Sequence, residues 1–460
     1  MRITREFLLC TMTAAALQVS SSAQAAPGTH MPQGAAPPHT FIVPADQVTV
    51  IKAGQLYDPA AGKMLSNQIV IIHGDRIAEV GSGLSIPAHA RVIDLSAAYV
   101  LPGMIDGHAH VYRDGDNPSQ HAINAVAAAQ RDLDAGFTSL RDMDSGGGFG
   151  TVDLRDLIDY GLVLGPRMQV VGQSLNTRNH GYESDPETTK FYSGRTDNKD
   201  VNGPWLARAT VREAKQHGVD SVKIYSTEDF VGEQYLWNPD GSLQVFPSIS
   251  NEEAEAIVDE AHRLGLKVAC HSYLGTADDP CLVAGVDAPQ HLMQLDDAGV
   301  KILLQKHLIY TPTFDDLANL EKQELVATGG RNSTWKMLEA AFKKAHAAGV
   351  EIAFGSGATG TAVPHGKQAD QFKWMVKWGM TPAEALRTSF IATPRNMNYH
   401  FERQVGTIEK GKYADIIAVA KNPLQDVTEM ERVTFVMKGG YVVRDNGSAG
   451  AQAAYNVEHP

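Results

Sequence analysis

The chain has 460 residues, of which 43% are hydrophobic and 20% are charged, and it contains three cysteines. This composition is typical of a folded globular protein, and it excludes a disordered chain, a collagen-like chain and a disulfide-rich miniprotein. The formal net charge of −13 argues against a nucleic-acid partner and against an anionic membrane surface. We therefore expect neither partner, and a large apolar core must stabilise the fold.

Residues 1–25 have the features of an export signal peptide. A positively charged start precedes an apolar run at 7–19, and the small residues at 23 and 25 suit a cleavage site. The apolar run is too short to span a bilayer, which argues against a membrane anchor. We therefore expect a periplasmic or secreted protein. In such an oxidising compartment Cys270 and Cys281 could pair, which the sequence leaves open.

The rest of the chain divides by its strand and helix patterns. Residues 26–46 are rich in Pro, Gly, Ala and His, which is typical of a disordered lead-in. Short β-branched runs broken by turns occupy 47–101 and return at 403–447, which predicts one small β-sandwich built from both chain ends. Residues 102–402 form the predicted central domain, and residues 448–460 form a tail.

The central domain alternates strands with helices. Helices are predicted at 122–134, 251–264 and 334–348. Eight strands interleaved with helices is the number that a (β/α)8 TIM-like barrel requires, so we predict an α/β fold of this type. A doubly wound open sheet is the alternative, and the lack of a glycine-rich phosphate loop after a strand disfavours it. The eight predicted strands lie at 103–108, 137–141, 168–172, 221–225, 267–271, 288–291, 308–311 and 351–355.

Four histidines and a lysine fall near the carboxyl ends of predicted strands. His108 and His110 are two residues apart, so both imidazoles lie on one side of the strand and can reach the same metal ion. Lys223, His271 and His291 lie near the ends of the fourth, fifth and sixth strands, on the face where barrel enzymes build active sites. Each histidine taken singly is more simply a core residue, but together they favour a metal cluster.

Lys223 requires its own explanation, because a buried ammonium beside metal ions would be repelled. Its amine either reaches water, or pairs with Glu228 or Asp229, or has reacted with CO2. The product of that reaction is an anionic carbamate, whose two oxygens can bridge two divalent ions. The residues themselves leave these explanations open.

Taken together, the motifs resemble those of the amidohydrolase superfamily, in the branch of imidazolonepropionase-like enzymes and Xaa-Pro dipeptidases. Ochratoxinase-type carboxypeptidases are similar. The resemblance extends over about residues 48–443, nearly the whole of the chain after the signal. It rests on His271, on His291 and on the motifs at 101–110, 135–142, 222–225, 363–366, 379–386 and 406–415.

The resemblance implies a site with two divalent metal ions, most simply Zn²⁺. His108 and His110 would bind the buried ion, His271 and His291 the exposed one, and a CO2-derived carbamate on Lys223 would bridge both. A bridging hydroxide would attack an amide carbonyl that the exposed ion polarises. Members of this superfamily usually form homo-oligomers, so the resemblance also implies a homo-oligomer.

One position departs from the family pattern. After the eighth strand the superfamily carries an aspartate that ligates the buried ion and passes a proton from the attacking water to the leaving amine. Gly357 stands at this catalytic position, and no acidic residue occurs between 355 and 367. The chain is then an inactivated variant, a natural enzyme with a substitute base, or a pseudoenzyme that binds metal or ligand without turnover. The candidate substitute bases are Asp315, Asp316, Glu228 and His365.

Three further residues are candidates for substrate binding. His180 matches a family histidine near the substrate carbonyl and could stabilise an oxyanion. Tyr225 shares a strand face with Lys223 and could donate to a substrate carboxylate, with which Arg178 could pair. The simpler interpretations are loop residues that face water for His180 and Arg178, and core packing for Tyr225.

These observations and the resemblance predict an exported binuclear-metal amidohydrolase that acts on small molecules. The expected reaction is hydrolysis of an amide bond to a C-terminal amino acid, in a dipeptide or in an N-acyl amino acid such as ochratoxin A. Gly357 predicts that the activity is impaired. The alternatives are a cyclic-amide hydrolase of the imidazolonepropionase type and a non-catalytic protein that binds a metal or ligand.

Overall fold

A computed structural model describes most of the central part of the chain. The predicted signal peptide, most of the predicted lead-in and the predicted tail lie outside the described residues, as do Arg178 and His180. Among the described residues, no helix is long and apolar enough to cross a membrane. The described residues are 40–112, 117–145, 148–177, 199–228, 230–231, 234–314, 317–359 and 364–446.

Several helices begin where the sequence supplies a capping side chain. Asn117 accepts a hydrogen bond from the backbone N–H of Gln120, and Ser250 forms a capping box with Glu253. The three helices predicted from the sequence are confirmed as α1, α4 and α8 of the following set. The α-helices are α1 (Pro118–Asp134), α2 (Gly150–Asp159), α3 (Pro204–Gln216), α4 (Asn251–Arg263), α5 (Pro280–Ala284), α6 (Asp297–Gln305), α7 (Leu317–Ala327), α8 (Thr334–Ala347), α9 (Gln371–Lys377), α10 (Pro382–Arg387) and α11 (Thr393–Met397).

The strands are more numerous and include several of only two residues. They are β1 (Val48–Asp58), β2 (Lys63–His73), β3 (Arg76–Ser82), β4 (Arg91–Pro102), β5 (Met104–Ala109), β6 (Phe137–Asp142), β7 (Arg167–Val170), β8 (Leu175–Asn176), β9 (Lys199–Asp200), β10 (Ser221–Tyr225), β11 (Thr227–Glu228), β12 (Phe230–Val231), β13 (Gln234–Tyr235), β14 (Phe246–Pro247), β15 (Lys267–Ser272), β16 (Ala288–His291), β17 (Ile416–Val419), β18 (Phe435–Lys438) and β19 (Tyr441–Asp445).

Strands from both ends of the chain form one seven-stranded sheet, in the order β19-β18-β17-β4-β1-β2-β3. β4 pairs in parallel with β1 and antiparallel with β17, so it joins the N-terminal strands to the C-terminal ones. Ile51, Val70, Ile93, Val100 and Ile416 are buried in the core of this sheet. The predicted association of the two chain ends is therefore present in this sheet. That it is a separate β-sandwich domain stays a prediction.

The central residues form parallel sheets. One has the order β5-β6-β7 and another the order β16-β15-β10-β8-β9. These contain the first six predicted strands, which correspond to β5, β6, β7, β10, β15 and β16. The predicted strands at 308–311 and 351–355 contribute only single bridges, at Thr311, Tyr310 and Ile352. The α/β class is confirmed, whereas a closed eight-stranded sheet is not present among the described residues and stays a prediction.

Four of the parallel strands are buried along their whole length, and this makes their polar residues informative. Every residue of β5, β6, β10 and β16 is buried. Strands covered on both faces are normally continuous apolar runs. Polar side chains within them, such as Asp106, His108 and Lys223, therefore require hydrogen-bond or charge partners or a function.

Candidate active site

His108 and His110 face each other at the carboxyl end of β5. Their Nε2 atoms are 3.1 Å apart, and Nδ1 of His108 is buried without a hydrogen-bond partner among the described residues. Burial, followed by the charge of Lys223, lowers the pKa of His108 well below its usual value, so the imidazole is neutral. Two nitrogens bound to one tetrahedral zinc ion are about 3.3 Å apart. This pair therefore suits a shared metal ion.

The Asp106 carboxylate holds the backbone around this pair. It accepts hydrogen bonds from the backbone N–H of His108 (3.0 Å) and from the backbone N–H (3.0 Å) and hydroxyl (2.5 Å) of Ser356. Burial raises the pKa of Asp106 to about 7, although these hydrogen bonds lower it. The carboxylate thus ties β5 to the segment that precedes Gly357.

Gly357 lies directly beside the two histidines. Its backbone N–H donates to the carbonyl of His108 (2.7 Å), and the carbonyl of Ala358 accepts from the backbone N–H of His110 (2.7 Å). Its φ of +71° is in the left-handed region, which suits glycine and which asparagine and aspartate enter more readily than other residues. An aspartate here would be strained by about 1 kcal/mol. The position of the missing acid is therefore next to the predicted ligands of the buried ion.

Lys223 is fully buried in the middle of β10. Its Nζ donates a hydrogen bond to Oε1 of Gln290. Its charge contributes to lowering the pKa of both His108 and His291, after burial and, for His291, after the charge of His271. Lys223 is therefore close to both sides of the site. A buried ammonium among imidazoles is unfavourable, and addition of CO2 would convert it to an anion.

His271 and His291 form a second pair, with ring centroids 4.6 Å apart. The ring of His291 is also 5.4 Å from that of His108. Nδ1 of His291 is hydrogen-bonded to the hydroxyl of Thr313. His291 has a φ of +68°, and such strain in a residue other than glycine is common at functional sites.

The structure thus brings together the five side chains that the sequence singled out as metal ligands. Among the described residues, no group of three or more His, Cys, Asp or Glu side chains is arranged to hold an ion. The histidines instead form two pairs, and the lysine is close to both. Two ions would each find two imidazoles in this arrangement, and a carboxylated Lys223 would supply further oxygen ligands. Their role as ligands stays a prediction.

Tyr225 contacts the site and leads to a carboxylate that the sequence analysis missed. Its ring centroid is 5.0 Å from that of His271, and its hydroxyl is 3.5 Å from Oδ2 of Asp144. Oδ1 of Asp144 accepts from the backbone N–H and the hydroxyl of Ser174, at 3.4 Å and 3.1 Å. Asp144 lies two residues after β6, so the rule that directed attention to strand ends could have found it.

His365 does not suit the role of a substitute base. Its Nδ1 is 2.8 Å from Oδ2 of Asp132, and its Nε2 is 3.3 Å from the carbonyl oxygen of His110. Burial lowers the pKa of His365, but the charge and hydrogen bond of Asp132 outweigh it and leave the pKa raised. Both nitrogens face acceptors, so both act as donors and neither takes a proton from water. Asp315, Asp316 and the side chain of Glu228 lie outside the described part of the chain.

Cys270 and Cys281 form a disulfide beside the second histidine pair. Both cysteines are fully buried, and their Cα atoms are 6.0 Å apart. The bond joins β15, immediately before His271, to α5. The hydroxyl of Ser226 donates to the carbonyl of His271 (2.8 Å). The backbone on both sides of this histidine is therefore held in place.

Comparison with known proteins places these residues in a family. The pattern of the Amidohydrolase family matches residues 99–443. Over 442 residues the chain is 27% identical to the ochratoxinase of Aspergillus niger, which covers 87% of this chain and 88% of the ochratoxinase. Over 392 residues it is 24% identical to the imidazolonepropionase of Fusobacterium nucleatum, which covers 76% of this chain and 84% of that enzyme.

A solved structure is also similar. A crystal structure of a Xaa-Pro dipeptidase with methionine bound in its active site has a TM-score of 0.71 and 27% sequence identity to this chain. The similarity covers 86% of this chain and 99% of the dipeptidase.

Proposed function

Because this chain belongs to the amidohydrolase family, we propose that it uses two divalent metal ions to hydrolyse an amide bond to a C-terminal amino acid. The family resemblance inferred from the motifs is confirmed. An ochratoxinase and a Xaa-Pro dipeptidase among the similar proteins support a small amide substrate. The observation that carries the proposal is the convergence of His108, His110, Lys223, His271 and His291 at the strand ends.

We also infer that the parallel strands close into a TIM barrel. A TIM-barrel-like α/β fold is the architecture of the amidohydrolase family to which the chain belongs. The isolated bridges from Gln290 to Thr311, from Tyr310 to Ile352 and from Ala358 back to Ala109 follow the strand order of such a barrel. The seven-stranded sheet would then be the accessory β domain.

In this proposal each side chain has a defined task. Zinc ions held by the two histidine pairs and a carboxylated Lys223 would supply an activated water and polarise the amide carbonyl. Gln290 positions Lys223, and Thr313 fixes the ring of His291 through its Nδ1. Partners of this kind normally orient metal ligands. The chain therefore contains ligand supports as well as the ligands.

Because residue 357 is glycine, no side chain at this position can accept the proton from the attacking water or donate it to the leaving amine. A positioned general acid or base contributes about 10²–10⁴-fold to a rate. Both nitrogens of His365 are engaged as donors, which argues against that residue as a replacement. We therefore propose that the chain binds metal and substrate but turns substrate over slowly.

The disulfide supports the proposal of an exported protein. Disulfides persist in oxidising compartments and are rare in the cytosol. The bond between Cys270 and Cys281 thus agrees with the signal-like residues 1–25 and with a periplasmic or secreted location. A homo-oligomer stays a prediction from the family resemblance.

The decisive experiment restores the acid. The zinc-loaded protein is compared with Gly357→Asp and Gly357→Asn in assays with dipeptides, ochratoxin A and the cyclic amide imidazolonepropionate. Asparagine matches aspartate in size and in its tolerance of positive φ, but it lacks the carboxylate. We expect Gly357→Asp to exceed both other forms by about 100-fold or more, on an amide of a C-terminal amino acid.

Each other result has a clear meaning. Equal rates for the original protein and for Gly357→Asp would show that another base exists, and the proposed impairment would be wrong. A response only to the cyclic amide would favour the imidazolonepropionase-type alternative, which the 24% identity to such an enzyme supports. No turnover by any form would favour a binding protein.

A further inference from the structure

Asp144 is a buried carboxylate in the candidate site that the proposed chemistry does not use. Its residue is 7% exposed. Its hydrogen-bond partners are the backbone N–H and hydroxyl of Ser174 and, at 3.5 Å, the hydroxyl of Tyr225. In the part of the chain that the structure describes, no Lys, Arg or His side chain lies within ion-pair distance of Asp144. Its partners there are therefore neutral donors.

Burial of a carboxylate without a cation is unfavourable. The neighbouring Asp142 does not relieve this cost, because it is also an acid. Burial, together with the charge of Asp144, raises the pKa of Asp142 to about 8, although a hydrogen bond from the backbone N–H of Val111 lowers it. Asp142 is thus mostly neutral at pH 7 and supplies no cation. A cationic ligand would supply the ion pair that Asp144 lacks among the described residues.

Tyr225 places this carboxylate next to the proposed metal centre. The Tyr225 ring centroid is 5.0 Å from that of His271 and 5.2 Å from Nζ of Lys223. A single tyrosine side chain therefore separates Asp144 from the proposed ligands of the exposed ion. Carboxylation of Lys223 would remove the ammonium group on this side of the site, which would leave Asp144 more in need of a cation.

We propose that Asp144 binds the α-ammonium group of a dipeptide, so that the site selects dipeptides with a free N-terminus over N-acyl amino acids. This inference rests on the proposed amide hydrolysis and specifies its substrate class. The α-ammonium group of a dipeptide is attached to the carbon next to the scissile carbonyl. It has three N–H donors, which can reach both the Asp144 carboxylate and the Tyr225 oxygen. Ochratoxin A and N-acetylated peptides have no such cation.

The test measures binding, which does not require turnover. Calorimetry at pH 6.5 compares Ala-Pro with N-acetyl-Ala-Pro on the zinc-loaded protein, on Asp144→Asn and on the matched control Asp142→Asn. We expect the zinc-loaded protein to bind Ala-Pro at least 10-fold more tightly than its acetylated form. Asp144→Asn should abolish this preference and leave the acetylated peptide within about twofold. Asp142→Asn should retain the preference, because it replaces a neutral acid.

A second measurement changes the pH on Asp142→Asn, in which residue 142 cannot ionise over this range. Raising the pH from 6.5 to 9 deprotonates the peptide amine, whose pKa is about 8, and should weaken binding of Ala-Pro but not of N-acetyl-Ala-Pro. Equal affinity for the two peptides, or a preference that survives in Asp144→Asn, would overturn the role of Asp144 and leave the amide chemistry standing. If neither peptide bound to protein shown to hold zinc, the proposed function would fail together with this inference.

Discussion

The two halves of the candidate site hold their histidines in different ways. In the first half, His108 and His110 are fixed by backbone hydrogen bonds to residues 357 and 358 and by the Asp106 carboxylate. In the second half, His271 is flanked by a disulfide and the ring of His291 is bonded to the Thr313 side chain. The supports of the first pair thus act on the backbone around the histidines, whereas in the second pair Thr313 contacts an imidazole ring itself.

This difference explains how the chain can lack the acid and retain the ligands. The contacts that residue 357 makes with the first histidine pair use its backbone N–H, which glycine has. Replacing an aspartate by glycine therefore removes a carboxylate without removing the support of His108. In the proposed site, His108 can therefore keep its position although the carboxylate is missing.

The largest expected effect concerns the disulfide in the second half. The variant Cys270→Ala/Cys281→Ala opens a cross-link between residues 11 positions apart. We expect the free energy of unfolding to fall by about 3 kcal/mol, as measured by urea denaturation. The intact protein unfolded with a reductant present should match this variant. If Cys270 and Cys281 were both alkylated after unfolding without a reductant, the bond would be absent.

A matched pair of carboxylates compares the two halves directly. Asp106 supports the first half, whereas Asp279 accepts from the hydroxyl of Ser272 (2.7 Å) and the backbone N–H of Gly275 (2.9 Å) in the second. Asp106→Asn should weaken the binding of one zinc ion by about 10–100-fold, and Asp279→Asn should weaken the binding of the other. Titration against a chelator measures both affinities. If both substitutions weakened the same ion, the division into halves would be wrong.

The smallest expected effect concerns His262, which lies near the amino ends of β15 and β16, away from the candidate site. His262 Nε2 is 2.8 Å from Oδ2 of Asp287, and this hydrogen bond raises the pKa of His262 above its usual value although burial lowers it. The stabilisation is therefore complete below about pH 6.5 and is lost as the pH rises through the raised pKa. The pair is partly exposed, so His262→Gln should lower the free energy of unfolding by about 0.5 kcal/mol at pH 5.5.

The pH dependence and the metal affinity serve as controls for that substitution. At pH 9 the imidazole is neutral in both folded and unfolded chains, so the difference between the variant and the original protein should vanish. Zinc affinity should stay unchanged, because His262 contacts the start of the strands rather than their carboxyl ends. A stability loss that grew with pH would contradict the assigned charge of His262.

Much of the fold could be predicted from local patterns. The alternation of short strands with helical stretches predicted β5, β6, β7, β10, β15 and β16 and the helices α1, α4 and α8. The two-residue strands β8, β9 and β11 to β14 were not predicted, because such short strands depend on tertiary pairing rather than on a run of β-forming residues. For the same reason, the predicted strands at 308–311 and 351–355 contribute only single bridges.

The site was predictable where residue type and spacing carry the chemistry. His108 and His110 are two residues apart on one strand, and Lys223, His271 and His291 each lie near a strand end, so alternation and topology were enough. The supports of these residues were not predictable. Ser356 meets Asp106 across a separation of 250 residues, and Gln290 meets Lys223 across 67. Such contacts depend on how the strands close in space.

The metal content tests the central claim most directly. The protein is loaded with zinc in the presence of bicarbonate, dialysed, and analysed by mass spectrometry of the metal, alongside His271→Ala. We predict two zinc ions for each chain of the original protein and one for the variant, because the second half would lose one of its two imidazoles. One zinc ion or fewer for each chain of the original protein, or unchanged metal content in His271→Ala, would contradict the binuclear centre.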